Sequence, residues 1–317
     1  MDDILKKLKE KQIFKTLSDD MLASLAAIVK EENYRAGQHI YREDDEATAM
    51  YLVQTGEVEI RKSLRRYPDQ SKILTIAEES DFFGDLTLFG KPRRSADAVA
   101  KTDATLWKLD YADLRRIIGS DPASAANVLQ AILRMLVPKL NSLVKENAVL
   151  FELGRLFPKI QDLEELTRAV FDLVLDAVEA EDTGLVAIIN VFNEEFDVYQ
   201  KTGNVEESHL ELDHPVAREL LRTKSVLIIN NASQDERFKG FSYLGSSFIA
   251  APVLYEGELK GLIILANTTT ESAFHKSHLI FLSTVTTLMG EKLQDIARKQ
   301  EDILKKRLDQ RKFSADI

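Results

Sequence analysis

The sequence predicts an α+β protein: an N-terminal antiparallel β-roll of the jelly-roll kind with flanking helices, a long connecting helix, and a second antiparallel sheet flanked by helices. Three observations carry this. The apolar period changes from helical to alternating near Tyr34, returns to helical near Asp121 and gives way to short apolar strand-like runs beyond Leu185. Glycines 37, 56, 84 and 90 cut the first alternating region into short strands, the pattern of a small closed β-structure. A length of 317 residues suits two domains of average size better than one core.

The elements follow in order. Residues 1 to about 30 read as helical, with Leu22, Leu25, Ala26 and Val29 at helix spacing and Ser18-Asp19-Asp20 as the start signal. Met50-Tyr51-Leu52-Val53 and Val58-Glu59-Ile60 are strand-like, and Arg61, Lys62, Arg65 and Arg66 fall at a hairpin tip that reads as a solvated loop. From about Asp121 to Phe157 the chain is helical again. There Leu129, Leu133, Leu136, Leu140, Leu143, Asn147 and Leu150 alternate steps of four and three, a heptad seam that predicts a homodimer, with Asn147 setting register. Pro138 lies outside the seam and is expected to bend the helix without ending it. A helix over 163–178, strands over 185–192, 196–199 and 226–229, and a short helix from His214-Pro215 are expected next. A hairpin then joins 247–255 to 259–266, and a long helix runs from His278 to Lys312. The expected boundaries are 1–120 for the roll, 121–150 for the connecting helix, 151–296 for the second domain and 297–317 for a helical tail.

Composition narrows the classes. A net charge of −10 argues against a general nucleic-acid binder, which needs clustered cations on one face. No stretch approaches the roughly 20 apolar residues of a membrane span, and the opening Met1-Asp2-Asp3-Ile4-Leu5-Lys6-Lys7 is not a secretory signal. With no cysteine there is no thiolate metal site, disulfide or cysteine nucleophile. A cytoplasmic protein without membrane or nucleic-acid partners is expected.

The most informative run is Phe83-Gly84-Asp85-Leu86-Thr87-Leu88-Phe89-Gly90-Lys91-Pro92-Arg93-Arg94-Ser95-Ala96. Gly84 permits close backbone approach, and a helical turn after it offers free N–H groups to an anion. Asp85 is an acceptor suited to a sugar hydroxyl, and Arg94 carries a planar fork that pairs bidentately with phosphate. Ser95 adds a hydroxyl and Ala96 keeps the wall thin. Asp85 and Arg94, facing one pocket, are expected to hold each other when it is empty.

This run resembles the phosphate-binding cassette of the cyclic-nucleotide-binding domain family, Phe-Gly-Glu-Leu-x-Leu followed by Arg-x-Ala. The likeness extends from about Phe14 to Ile118, through Ala36-Gly37, Tyr51-Leu52-Val53-x-x-Gly56-Glu57-Val58 and Ala100-Lys101-Thr102-Asp103. The resemblance implies that Arg94 grips the cyclic phosphate of cAMP or cGMP and that Asp85 accepts from the ribose 2′-hydroxyl. Gly84, Leu86, Thr87, Ser95 and Ala96 then form the cradle. Asp85 stands where the family has glutamate and is one methylene shorter, which shortens its reach. Base contacts are expected from the following helix, with Lys139, Asn141 and Ser142 as polar candidates; cAMP is favoured over cGMP. Arg93-Arg94-Ser95 also looks like a basophilic kinase site, although a serine inside a folded cassette is expected to be inaccessible.

Beyond Leu150 the motifs His214-Pro215-x-x-x-Glu219-Leu220-Leu221, Val226-Leu227-Ile228-Ile229, Asp235-x-Arg237-Phe238, Ala251-Pro252-Val253 and Glu256-Gly257-Glu258-x-x-Gly261-Leu262-Ile263 resemble a GAF domain. Phosphodiesterase GAF domains that bind cyclic nucleotides carry Asn-Lys…Phe…Asp-Glu. Here Thr268 follows Asn267, and His275-Lys276-Ser277-His278 follows Phe274, so that activity is not implied. His275 and His278 read as surface histidines at a helix start in preference to a metal site. With no catalytic constellation apparent, the expected protein is a non-enzymatic, metal-free, dimeric cyclic-nucleotide receptor relaying ligand state through GAF to an unidentified effector protein. The alternative is a dimeric scaffold whose nucleotide pocket has degenerated.

Overall fold

A computed structural model describes residues 2–10, 18–64, 67–84, 93–120, 122–178, 181–190 and 192–315. The chain divides into two compact units, Met1–Asn141 and Ser142–Ile317. It is a mixed α+β protein, with an antiparallel sheet domain first, then helices, and a second antiparallel sheet domain with its own helices.

In the first unit, α1 (Asp2–Glu10) and α2 (Asp19–Ile28) precede eight strands among the described residues. Ser18 caps α2, its side chain accepting from the Met21 N–H at 3.3 Å, as the Ser-Asp-Asp signal predicts. The strands are β1 (Lys30–Tyr34), β2 (His39–Tyr41), β3 (Ala49–Thr55), β4 (Val58–Leu64), β5 (Tyr67–Ala77), β6 (Phe82–Phe83), β7 (Asp97–Ala100) and β8 (Ala104–Asp110). They form two four-stranded antiparallel sheets, ordered β1-β8-β3-β6 and β2-β7-β4-β5. Alternation along β3 divides two cores. Ala49, Tyr51 and Val53 face the inside of the roll with Val58, Phe83, Ala98 and Leu106, while Met50 and Leu52 pack with Trp107 against α1 and α2. Two of the hairpin's cations are paired within the roll: Arg61 with the buried Glu59, and Lys62 with Glu43 at 2.6 Å. Arg65 and Arg66 lie outside the described residues.

The sequence reading passed over α3 (Tyr111–Ser120), which starts at once after β8. Its apolar contribution to the core, Tyr111, Leu114 and the half-buried Ile117, spans only two turns, too short a stretch to register as a helical period. Helix α4 (Pro122–Leu156) then runs through Pro138 unbroken, and the boundary between units falls within it.

The second unit contains α5 (Leu163–Val178), β9 (Thr183–Asn190), β10 (Glu195–Thr202), β11 (His209–Glu211), α6 (Pro215–Thr223), β12 (Leu227–Ile229), β13 (Ser247–Tyr255), β14 (Glu258–Asn267) and α7 (Lys276–Ala315). Its antiparallel sheet is ordered β11-β10-β9-β14-β13-β12. Both faces are covered: Val186, Ile188, Ile249, Ile263 and Leu265 pack beneath α5 and α7, while Leu185, Ala187, Phe248, Leu262 and Ile264 pack beneath α6. That explains why these strands read as apolar runs without polar alternation. The first of them ends earlier than expected. Asn190 accepts from the Phe192 N–H at 3.0 Å and folds the chain into a turn, leaving Phe192 93% exposed.

Candidate functional site

The cassette lies between β6 and β7. Gly84 adopts φ +77°, a conformation that favours glycine. A Cβ there would stand 2.5 Å from Arg94 Nη1, so the missing side chain is what admits the guanidinium.

Arg94 is only 3% exposed. Its Nη2 donates to the Ala49 carbonyl at 2.6 Å and its Nη1 to the Gly84 carbonyl at 3.2 Å. Tyr41 lies under the guanidinium, 4.0 Å from Cζ to ring centroid, and Tyr51 is 5.8 Å away. Tyr51 in turn stacks on Phe83 at 5.3 Å. Arg94 Nε is buried without a hydrogen-bond partner, and among the described residues the partners of the side chain are main-chain carbonyls and aromatic rings, not carboxylates. Among the described residues, neutral carbonyls and aromatic faces compensate only part of the charge of this buried cation. Chemically, this is a fixed planar cation inside an aromatic-walled roll, a receptor for a small oxyanion.

The other cassette residues are distributed as follows. Ala96 is buried. Ser95 is exposed, against the expectation of a shielded serine, because its backbone runs along the rim, where the Ser95 carbonyl accepts from Lys62 Nζ at 2.7 Å. Asp85, Leu86 and Thr87 lie outside the described residues, so the expected Asp85–Arg94 contact lies there too; the partners found for Arg94 are main-chain carbonyls. The side chains of Lys139 and Ser142 are likewise outside the description, and Asn141 is exposed. Sequence reading missed Tyr41, Ala49 and Tyr111 as neighbours of the arginine. The β3 alternation was a usable signal for Ala49 and Tyr51. None existed for Tyr41, which arrives by the long-range pairing of β2 with β7.

In the second unit the histidines carry structural duties. His214 caps α6: its Nδ1 accepts from the Val216 N–H at 3.3 Å, which leaves Nε2 to donate to Tyr243 Oη at 3.0 Å. His278 is 7% exposed, not a surface residue as expected. Its Nδ1 accepts from the His275 N–H at 3.3 Å, closing the first turn of α7 as the acid of a capping box does. Burial holds both imidazoles neutral, with pKa values lowered to about 4. No group of three or more metal-binding side chains occurs among the described residues. Nor, among them, is any helix long and apolar enough to cross a membrane.

A buried arginine packed against a glycine turn inside an antiparallel roll, followed by a second sheet-based unit, is the arrangement the sequence motifs predict. Residues 31–121 match the family model of the cyclic nucleotide-binding domain, and residues 161–294 match that of the GAF domain. The chain thus carries a cyclic nucleotide-binding domain followed by a GAF domain, as its motifs predict.

Similar proteins include a cAMP-dependent protein kinase regulatory subunit of Candida albicans, 31% identical over 35% of this chain and 23% of that protein. A CRP-like cAMP-activated global transcriptional regulator of Mycobacterium tuberculosis is 28% identical over 43% of this chain and 58% of its own length. A cGMP-dependent protein kinase of Caenorhabditis elegans is 25% identical over 35% of this chain and 14% of its own. The N-terminal domain of a transcriptional regulator from Streptomyces coelicolor shares 26% identity over 43% of this chain and 94% of that chain, with a TM-score of 0.37. The matched part of this chain therefore spans 14–58% of these three full-length relatives.

Proposed function

We propose that this chain is a cyclic-nucleotide-responsive regulator in which Arg94 holds the cyclic phosphate. Gly84, Asp85, Leu86, Thr87, Ser95 and Ala96 complete the cradle, and Asp85 accepts from the ribose. The observation that carries the reading is the burial of Arg94 against main-chain carbonyls and aromatic rings, with Nε unsatisfied and, among the described residues, no carboxylate paired with it. A singly charged cyclic phosphate supplies an anion that accepts from the fork. The relatives' names support cAMP or cGMP as ligand, with cAMP favoured.

On this reading the protein has no catalytic step of its own. The ligand acts by binding one arrangement of roll and helix better than another, since equal affinity shifts nothing. The chain works as a homodimer joined along α4, and its GAF domain passes the ligand state to a partner protein. The roll over 1–120, the connecting helix over 121–150, the GAF domain over 151–296 and the tail over 297–317 are the working parts.

Titration calorimetry with cAMP and cGMP tests the proposal. Micromolar or tighter binding is expected, and Arg94→Ala is expected to weaken it at least tenfold, about 1.4 kcal/mol. One observation favours the scaffold alternative: the two Nη groups already have acceptors in the protein. No heat from either nucleotide at millimolar concentration would select that alternative.

A further inference from the structure

One end of the second unit's sheet carries an aromatic knob beside an apolar groove. The knob is Phe192, 93% exposed in the turn between β9 and β10. Its place is fixed nonetheless: Asn190 Oδ1 accepts from the Phe192 N–H at 3.0 Å, and the Asn190 carbonyl accepts from the Glu194 N–H at 3.0 Å. A phenyl ring held out in water by a hydrogen-bonded turn keeps a large apolar surface available for burial. The groove, of about 260 Å³, is lined by Leu221, Lys224, Leu254, Gly257, Glu258 and Leu259. Strand register puts the two features at the same end. β9 pairs with β14 as far as Ile188 opposite Gly261, so β9 runs on to Asn190 and Phe192 where β14 begins at Glu258 and Leu259. Charge divides the same way. Glu194 and Glu195 follow the ring, Lys224 stands in the groove wall, and Glu258 is already taken by Lys260 at 2.6 Å. Glu194 and Lys224 are both exposed, and among the described residues neither forms a salt bridge.

We propose that this end of the GAF domain is a self-docking surface: Phe192 of each copy enters the groove between Leu221, Leu254 and Leu259 of a second copy, with Glu194 set against Lys224. A knob and a groove side by side on one surface are self-complementary about a twofold axis between them, so both contacts form together and the pair closes. The occupant is a second copy because this chain supplies both halves of the fit: the ring with its acid, and the apolar walls with their cation. The charges fix the orientation and the apolar contact supplies most of the attraction. Two phenyl rings bury roughly 300–500 Å², well under the roughly 1,200 Å² of a stable interface. The contact is therefore weak, filled only at high micromolar concentration. It shares no residue with the α4 seam or the Arg94 cup, and it stands whether or not a nucleotide binds.

Sedimentation velocity on the full chain carrying Leu140→Glu, which removes pairing along α4, reads this contact alone. From low to high micromolar concentration its weight-average mass is expected to climb toward twice the starting value. Adding Phe192→Ser is expected to hold the mass constant over the same range. Lys224→Glu is expected to weaken the association three- to fivefold, and the exchange of both charges, Glu194→Lys with Lys224→Glu, to restore it to within about twofold. All three side chains are exposed, so the fold survives these changes, and an unaltered Tm verifies it. A constant mass with Phe192 intact overturns the proposal and leaves the groove to a different partner or to none. A climb that Phe192→Ser does not touch overturns it as well and assigns the association to another face. A Kd indifferent to both charge changes overturns the docking geometry.

Discussion

Arg94 is buried because the residues around it make room and replace part of its hydration. Glycine at position 84 clears the space beside Nη1, two carbonyls face the fork, and Tyr41 offers its ring. Glycine and arginine were legible in the sequence because they form one contiguous motif. Tyr41 and Tyr111 were not, since each reaches the site through strand pairing. At the same scale His214 and His278 set a pH dependence. Each folded-state pKa is lowered to about 4, from roughly 6.5 in the unfolded chain, because burial disfavours the imidazolium. Between those values the unfolded state binds more protons, so their contribution is complete above about pH 6.5 and is lost as pH falls toward 4. Melting of the wild type and of His278→Gln is expected to show this between pH 7 and pH 5. The wild type loses Tm across the interval more steeply than the variant does.

Among the elements, α4 carries the clearest unpartnered surface. Leu133, Val137, Leu140, Val144 and Phe151 are all exposed, Phe151 by 73%, and Asn147 lies on the same stripe. Their steps of four and three are those of a helix pair. The heptad was legible in the sequence, but its flank was not. Leu143 is exposed as the seam requires, whereas Leu150 is half-buried against the second unit's core beside Val149 and Leu153. The side chains of Leu129 and Leu136 lie outside the described residues. Static light scattering is expected to give the mass of a dimer at micromolar concentration, and Leu140→Glu to shift it toward the monomer; a wild-type monomer at high micromolar concentration would refute the pairing. Helix α7 yields a prediction of opposite sign to propensity. Glycine to alanine inside a helix ordinarily stabilises by about 1 kcal/mol. A Cβ on Gly290, however, would stand 2.1 Å from the Leu254 carbonyl of β13. Overpacking of about 1–3 kcal/mol therefore governs, and Gly290→Ala is expected to lower the Tm of the second unit by several degrees in differential scanning calorimetry.

For the molecule as a whole, each unit has its own hydrophobic core. A ligand that binds only the first unit stabilises that unit by mass action, about 2.7 kcal/mol at a concentration 100 times Kd. Calorimetric scans with saturating cAMP or cGMP are expected to raise the first unit's transition by roughly 10 °C and to do nothing of the kind for Arg94→Ala. Local order was enough to determine the two sheet-bearing parts, the connecting helix and the run that carries Gly84 and Arg94, because apolar period, turn glycines and contiguous motifs are properties of neighbouring residues. What required the tertiary structure was which groups meet across long stretches of chain. Tyr111 reaches the Gly84 carbonyl, Tyr41 slides beneath Arg94, and His278 turns inward to cap a helix. Those encounters are set by strand register and packing, and neither has a signature within a few residues of the side chains it brings together.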